Sequence, residues 1–276
     1  MIDLHLHSTA SDGEFPPDEV VRRAAKAGLT TIALTDHDTL AGVAVARRYA
    51  ESAGVRVISG CEFSVEASWG EMHLLAFFLP DDDPAVQAFL SEQRSGRATR
   101  ARAIVERLNA LGVAITDEDV LAAAKGGAVG RPHVAQALIT RGAAASIPEA
   151  FDRYLGWKRP AFVPKALPAV GVVTHLVRKA GGVTSAAHLK DRANRAALAS
   201  LKAAGVDAVE AIHPAHDEAT AGRIRRLAGE LDLLLSGGSD WHGDGNGPPA
   251  RAPLGSLDVP EEWLNAIEDL HTRRET

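Results

Sequence analysis

Residues 3 to 13 read Asp-Leu-His-Leu-His-Ser-Thr-Ala-Ser-Asp-Gly, and the rest of the chain can be arranged around them. In an extended strand, side chains two apart share a face, so His5 and His7 project together while Ile2, Leu4 and Leu6 pack the other way. Two imidazoles on one face are half a metal site. Asp12, in the polar turn from Ser8 to Gly13, adds an oxygen ligand. One such pair would equally suit a solvated edge strand, so the decision rests on whether the rest of the chain supplies matching ligands.

Working outward, seven short runs rich in Val, Ile, Leu and Ala recur at about 2–7, 30–36, 56–65, 72–79, 182–188, 206–212 and 232–239. Helical patterns separate most of them. Pro16, Pro17 and Asp18 start a helix that Gly28 ends, and Thr39 to Ala53 forms another, stopped by Gly54. This alternation predicts a mostly parallel sheet or barrel. The third and fourth runs differ, because Ser68, Trp69 and Gly70 join them directly as a hairpin turn.

From Asp81 to about Lys165 the strand signal gives way to helices. A long one runs from Pro84 to Leu111, a capping signal at Thr116 to Asp119 starts a short one, and Pro132 and Pro148 sit near the starts of two more. The expected organisation is a barrel built from residues 1–82 and 166–276, interrupted by a helical subdomain over 83–165. Helices are expected again near 169–180, 192–204, 217–230 and 261–273, and the Gly- and Pro-rich stretch 243–249 reads as a mobile loop.

At 276 residues the chain can bury a large core, and 46% hydrophobic with 24% charged residues are ordinary globular values. No long apolar span or signal-like segment stands out, so a cytoplasmic protein without a membrane partner is expected. A single cysteine, Cys61, excludes an intrachain disulfide and a thiolate-only zinc site, leaving His, Asp and Glu for any metal chemistry. The net charge of −6 argues against bulk electrostatic binding of nucleic acid. Yet residues 84–165 carry twelve Lys or Arg against seven Asp or Glu, so this segment is either a solvated basic face or a lid that attracts an anion.

The polar residues fall where the runs end. The first run carries His5 and His7, the second ends in Thr35-Asp36-His37-Asp38, the third contains Glu62 and the fourth opens with His73. The fifth ends at His188, the sixth contains Glu210 and ends in His213, and the seventh ends in Asp240 and His242. Sites in parallel α/β folds lie at the carboxyl ends of strands, so these groups should meet on one rim. Singly, His37 and His188 suit satisfied core or rim histidines, Glu62 a pairing carboxylate, and Asp240 a helix cap. Together, six histidines and three carboxylates buried without partners would cost about 2–7 kcal/mol for each neutral group and more for ions. Nine ligands exceed what one ion takes while keeping an open position, which points to two or three ions.

These residues carry a resemblance. His5-x-His7, Asp12, Leu34-Thr35-Asp36-His37-Asp38, Glu62, His73, His188 and Gly238-Ser239-Asp240-Trp241-His242 resemble, in order, the motifs of the PHP (polymerase and histidinol phosphatase) superfamily. The resemblance implies a distorted seven-stranded (β/α)7 TIM-like barrel with three divalent metal ions, Mn²⁺ first, with Fe²⁺ or Zn²⁺ as alternatives. It implies that His5, His7, Glu62 and Asp240 hold the first ion, and that Asp12, His37 and His242 hold the second. Glu62 would bridge to a third, completed by His73 and His188. Where some members have a histidine this chain has Asp12, a harder ligand.

The helical insertion and the stretches Gly130-Arg131-Pro132-His133, Phe151-Asp152-Arg153-Tyr154-Leu155 and Glu210-Ala211-Ile212-His213-Pro214 are similar to the TrpH/YciV-type branch. That branch implies removal of the 3′-phosphate from nucleoside 3′,5′-bisphosphates and, in some members, stepwise 5′-to-3′ hydrolysis of short 5′-phosphorylated RNA. The expected partner is therefore a nucleotide or short-oligonucleotide phosphate, with no obligatory protein partner. The leaving oxygen needs a proton from His213 or from water at the metals. A second phosphate needs an anchor. Arg131 is the first candidate, since a guanidinium binds phosphate bidentately, with His133 and Lys165 behind it. His216 shares the loop of His213, Cys61 is expected in packing, and His175 and His271 are assigned no function. Two other readings stay open, a histidinol-phosphate-type small-molecule phosphatase and a non-catalytic metal- or RNA-binding module.

Overall fold

In the computed structural model, which describes residues 1–244 and 252–275, seven strands form one sheet in simple sequence order. They are β1 (Ile2–Leu6), β2 (Thr31–Leu34), β3 (Arg56–Ala67), β4 (Gly70–Phe77), β5 (Val183–Ala186), β6 (Ala208–Ile212) and β7 (Leu234–Gly237). The pairs β1–β2, β2–β3, β5–β6 and β6–β7 are parallel, while β3–β4 and β4–β5 are antiparallel. All seven expected runs are strands. The hairpin is also where Ser68 to Gly70 put it, with Ala67 opposite Gly70. After β7 the chain returns to β1, where Leu6 bridges Trp241 and the His7 N–H donates to the Trp241 carbonyl at 3.0 Å.

The crossovers are α1 (Pro17–Lys26), α2 (Val43–Ala53), α7 (Val170–Lys179), α8 (Arg195–Ala203), α9 (Glu218–Glu230) and the terminal α10 (Glu261–Glu275). Helix α1 shows why such segments fold locally. Proline opens it, Asp18 and Glu19 sit at its positive end and Arg23 and Lys26 at its negative end, and Val20, Val21 and Ala24 face the core. Helix α2 begins four residues later than the sequence indicated. Asp38 turns the backbone with φ +50° and the Thr39 hydroxyl accepts from the Ala41 N–H at 3.1 Å, so residues 38–42 form a turn in place of the first helical one.

Between β4 and α7 lie α3 (Pro84–Ala110), α4 (Asp117–Ala124), α5 (Arg131–Thr140), α6 (Ile147–Ala150) and a π-helical turn over Phe151–Leu155. Asp83 caps α3, and Thr116 with Asp119 forms the expected capping box of α4. These helices bury their own apolar cluster, among them Ile104, Leu108, Val134, Leu138 and Leu155, separate from the clusters on the sheet. Their tie to the sheet is close: a Cβ on Gly127 would lie 2.5 Å from the Thr9 carbonyl oxygen, so only glycine lets this loop press on the turn after β1.

One expectation for β1 is corrected. Ile2 and Leu4 pack with Ile58, Leu75 and Phe77, whereas Leu6 joins Val20, Ile32 and Trp241 in another cluster. The β1–β2 register shifts between Asp3 and Leu6, and that irregularity breaks the strict two-residue alternation. Cys61 is buried in the core cluster with Phe63 and Leu74, as expected. The stretch 243–249, expected to be a mobile loop, lies mostly outside the described residues. Among the described residues no helix is long and apolar enough to cross a membrane.

Candidate metal centre and phosphate cavity

Strands β1, β2, β5, β6 and β7 deliver polar residues at or just beyond their carboxyl ends, while the long β3–β4 hairpin supplies Glu62 from the middle of β3 and His73 from the first half of β4, opposite Ser64. All nine sequence-predicted ligands converge. Four overlapping groups have ligand atoms within 4.8 Å of one another: His7 with Asp12, His37 and His242; His5 with His7, Glu62 and Asp240; His37 with Glu62 and His73; and His5 with Glu210 and His213.

Glu62 stands at the centre. Its Oε2 lies 3.3 Å from His5 Nε2, 3.1 Å from His7 Nε2 and 3.3 Å from His37 Nδ1, while its Oε1 faces His73 Nδ1 at 2.8 Å and His188 Nε2 at 3.1 Å. One carboxylate thus presents each oxygen to a different set of imidazoles, as a bridging ligand must. Asp240 Oδ1 adds contacts to His5 Nε2 at 3.4 Å and His7 Nε2 at 3.3 Å, and Asp12 Oδ1 lies 3.3 Å from His242 Nε2.

A cation fits this set on one structural ground. His5 Nε2, His7 Nε2, His37 Nδ1 and Asp12 Oδ1 are buried and have no hydrogen-bond partner, which is costly unless something else meets them. The electrostatics agree. Burial would raise the carboxyls of Asp12, Glu62 and Asp240, yet the surrounding imidazoles hold all three well below the usual carboxylate range. Burial likewise works against protonating His5 and His7, but the same carboxylates pull His7 up to about 10 and His5 well above its ordinary value. His37 is pushed down to about 3, because its burial outweighs the upward pull of Glu62 and Asp12.

Neighbouring groups fix how the rings face. Glu210 Oε1 takes His5 Nδ1 at 3.0 Å and its Oε2 accepts the His188 N–H at 2.7 Å, leaving His5 Nε2 to point at Glu62. His242 Nδ1 lies 2.8 Å from the Asp240 carbonyl, an arrangement that protonates Nδ1 and frees Nε2. Asp36 accepts from the Ser8 N–H at 2.7 Å, the Ser8 hydroxyl at 2.7 Å and the Ser11 hydroxyl at 2.6 Å, which shapes the turn that carries Asp12. Asp3, raised to about 6 by burial, accepts from the His5 and Ser239 N–H groups. Gly238 packs on the same strand so tightly that a Cβ would lie 2.4 Å from that of His5.

The ligands open into a cavity of about 280 Å³. Asp12, His37, Glu62, His73, His188, Asp240 and His242 line one side, and Arg97, Arg100, Arg131, Lys165 and Lys190 bring five cations to the same space. Arg97 and Lys165 are braced from behind by the buried Asp38, whose Oδ2 accepts from both, with Lys165 Nζ at 3.2 Å. Arg97 Nη2 and Arg100 Nη2 are buried and without a hydrogen-bond partner. Burial, then the charge of Arg131, lowers Arg100 to about 10; burial, then Arg97, lowers Lys165 to about 8.

The other sequence-predicted positions divide. Arg131 and Lys165 line the cavity, and Arg131 lies 3.9 Å from Glu71. His133 does not reach it. Its Nδ1 accepts the Gly130 N–H at 2.9 Å in the capping box of α5, because a residue three past the cap points back over the helix start. His213 lies on the wall with Nε2 3.5 Å from Asp240 Oδ2, and its Nδ1 accepts the Ala215 N–H at 3.0 Å. A neutral ring with that bond carries its proton on Nε2, where it can donate but not ligate. His216 is held structurally, with Nδ1 at the Ala211 carbonyl and Nε2 accepting the Lys190 N–H. Sequence reasoning missed Arg97 and Arg100, although the spacing of Arg94, Arg97 and Arg100 along α3 was a signal of one basic face.

These features define an α/β protein whose strand ends form a multi-carboxylate, multi-histidine centre beneath an anion-attracting wall. The comparisons agree with that class. A model of the PHP domain matches residues 3–96. A 5′-3′ exoribonuclease of Haemophilus influenzae is 33% identical, covering 87% of this chain and 89% of that protein. The 3′,5′-nucleoside bisphosphate phosphatase of Chromobacterium violaceum is 31% identical, with 89% and 88% covered. A crystal structure from Bifidobacterium adolescentis, of a protein proposed to be a metal-dependent phosphoesterase, superposes with a TM-score of 0.89 at 32% identity, covering 98% of this chain and 96% of that one. The chain belongs to the PHP family.

Proposed function

We propose that this protein is a metal-dependent phosphoesterase that removes the 3′-phosphate of nucleoside 3′,5′-bisphosphates and acts on short 5′-phosphorylated oligoribonucleotides. The observation that carries the reading is the pairing of a preformed ligand cluster with buried guanidinium nitrogens that lack partners, in one cavity. A molecule with two phosphates satisfies both. The names of the exoribonuclease and bisphosphate phosphatase relatives support the same substrate class. A histidinol-phosphate-type monophosphate leaves the buried Arg97 and Arg100 nitrogens unanswered.

In this reading His5, His7, Glu62 and Asp240 hold one divalent ion, Asp12, His37 and His242 a second, and Glu62, His73 and His188 a third, with Mn²⁺ the first choice. When bound, such ions acidify water and neutralise charge on phosphoryl oxygens. The remaining work falls to the chain. Arg97, Arg100, Arg131 and Lys165 hold the phosphate that does not react, Asp38 keeps two of them aimed, and the burial of Arg97 and Lys165 strengthens their contacts. His213 presents the Nε2 proton toward the site, suited to donation to the departing sugar oxygen. His133 has no role in binding here, since its ring is spent on the cap of α5. Residues 83–165 form a helical subdomain set into a distorted barrel of 1–82 and 166–276, a closure supported by the Leu6–Trp241 bridge.

The test is phosphate release by manganese-loaded protein from a nucleoside 3′,5′-bisphosphate, its 3′- and 5′-monophosphates, histidinol phosphate and a 5′-phosphorylated RNA. The expected result is a kcat/KM for the bisphosphate well above that of every monophosphate. Equal values would refute the two-phosphate reading.

A further inference from the structure

Among the described residues Trp157 is the most exposed large apolar side chain, at 71%. It is not on a loose excursion. Ala161 N–H donates to the Tyr154 carbonyl at 3.0 Å, Arg100 Nε donates to the Val163 carbonyl at 2.8 Å, and Arg107 donates to the Phe162 carbonyl, so both ends of the segment are tied down. An ordered tryptophan facing water loses the benefit of burial without a gain in freedom.

Its surroundings lead to the cavity. The Trp157 ring meets that of Phe162 edge-on at 5.1 Å between centroids, and the Arg131 guanidinium sits 5.9 Å from the Phe162 ring and 5.6 Å from that of Phe151. Arg131 and Phe151 line the cavity wall. Aromatic and guanidinium surfaces therefore run without interruption from the cavity to Trp157. Next to the indole, Lys158 is exposed and has no hydrogen-bond or ion-pair partner among the described residues, leaving one free cation beside the platform.

We propose that this track, ending on Trp157, is a binding site for single-stranded RNA, taking nucleotides beyond the one held in the cavity. Successive flat rings offer stacking faces to any base, and Lys158 offers charge to the backbone, a combination suited to single strands without sequence preference. A protein ligand would not require the cation–aromatic continuity with the cavity. The proposal rests on the phosphoesterase reading for the position of the first nucleotide, but binding at Trp157 is measurable without turnover.

The experiment compares wild-type, Trp157→Ala and Trp157→Phe proteins for affinity toward 5′-phosphorylated, phosphorothioate-linked oligoribonucleotides of increasing length, by fluorescence anisotropy. Phosphate release from a nucleoside 3′,5′-bisphosphate is measured in parallel. Trp157→Ala should raise Kd for a pentamer about 5- to 150-fold, the equivalent of one base stack of about 1–3 kcal/mol, while the bisphosphate kcat and KM stay at wild-type values. Trp157→Phe should recover most of the affinity. An unchanged pentamer Kd, no pentamer binding by wild type, or an equal loss for bisphosphate and pentamer would overturn the track. If wild type releases no phosphate from the bisphosphate, the phosphoesterase reading fails, and the anisotropy series still decides the track.

Discussion

Glu210 touches no proposed ion, yet Glu210→Gln should cripple metal binding. Both carboxylate oxygens are occupied, Oε1 by His5 Nδ1 at 3.0 Å and Oε2 by the His188 N–H at 2.7 Å, with Glu210 and His5 fully buried and His188 partly so. A glutamine has one accepting oxygen. If that oxygen stays with the His188 N–H, the amide donates to His5 Nδ1, the ring moves its proton to Nε2, and the atom meant for a cation becomes a donor. If the oxygen serves His5, the amide N–H₂ confronts the His188 N–H and leaves a largely shielded donor unpaired, at a cost of about 1–3 kcal/mol. Either way one ligand is compromised and one charge-assisted bond lost, which corresponds to about 10- to 100-fold weaker metal affinity. Calorimetric titration of chelator-stripped protein with Mn²⁺ measures this directly, and thermal unfolding of both stripped proteins separates it from a folding defect. Superimposable isotherms for Glu210→Gln and wild type would refute the reasoning.

Further outcomes follow from the opposite wall. Arg131→Ala should raise KM for a nucleoside 3′,5′-bisphosphate more than for a monophosphate, and equal effects would remove Arg131 from phosphate binding. The Lys165 ammonium, facing Arg97, Asp38 and Glu71 and lowered to about 8 by burial and Arg97, is charged below that pH and neutral above it. The kcat/KM for the bisphosphate should therefore fall above about pH 8, and Lys165→Arg, which stays charged, should move that limb to higher pH; identical limbs would count against the assignment. Arg97→Met removes one partner of the buried Asp38 and should destabilise the protein by about 3–5 kcal/mol in urea unfolding. A loss below about 1 kcal/mol would mean that Lys165 alone satisfies Asp38. Saturating Mn²⁺ at about a hundredfold over Kd should stabilise the fold by about 2.7 kcal/mol per ion, read as a rise in Tm that chelator abolishes.

The convergence of the candidate ligands was legible because two spacings coincide. The two-residue spacing of His5 and His7 marked them as a pair, and the spacing of apolar runs put His37, His188, Asp240 and His242 just beyond strand ends, where parallel topology gathers them. The hairpin was legible for the same reason: a two-residue gap at Ser68 and Trp69 forces β4 to run backwards, which brings His73 to Glu62 instead of to the far end. Of the cation wall Arg131 and Lys165 were legible, but Arg97 and Arg100 were not, because on a helix they have the spacing of any solvated face. Only the approach of Asp38, 59 residues away in sequence, distinguishes Arg97 from a surface arginine. His133 misled because a histidine beside Arg131 suits a phosphate site and a helix cap equally, and the cap is decided by backbone geometry.

Three of the eight non-glycine residues with positive φ among the described residues carry side chains of the site or its brace. Asp38, His188 and Asp240, which follow β2, β5 and β7, all adopt positive φ, at +50°, +31° and +52°, where side-chain-bearing residues are disfavoured by about 1–3 kcal/mol each. Glycine would relieve each position but would remove a side chain the site uses. Asp240 and His188 reach Glu62 or its imidazoles, while Asp38 turns away from the ligands to brace Arg97 and Lys165. The same sharp turn after β2 thus sends His37 to the ligand cluster and Asp38 to the basic wall, and so sets the distance between the two halves of the cavity. Replacing Asp38 by glycine would ease the turn yet release both cations, and the penalty should surface in KM for a two-phosphate substrate, with metal affinity little changed.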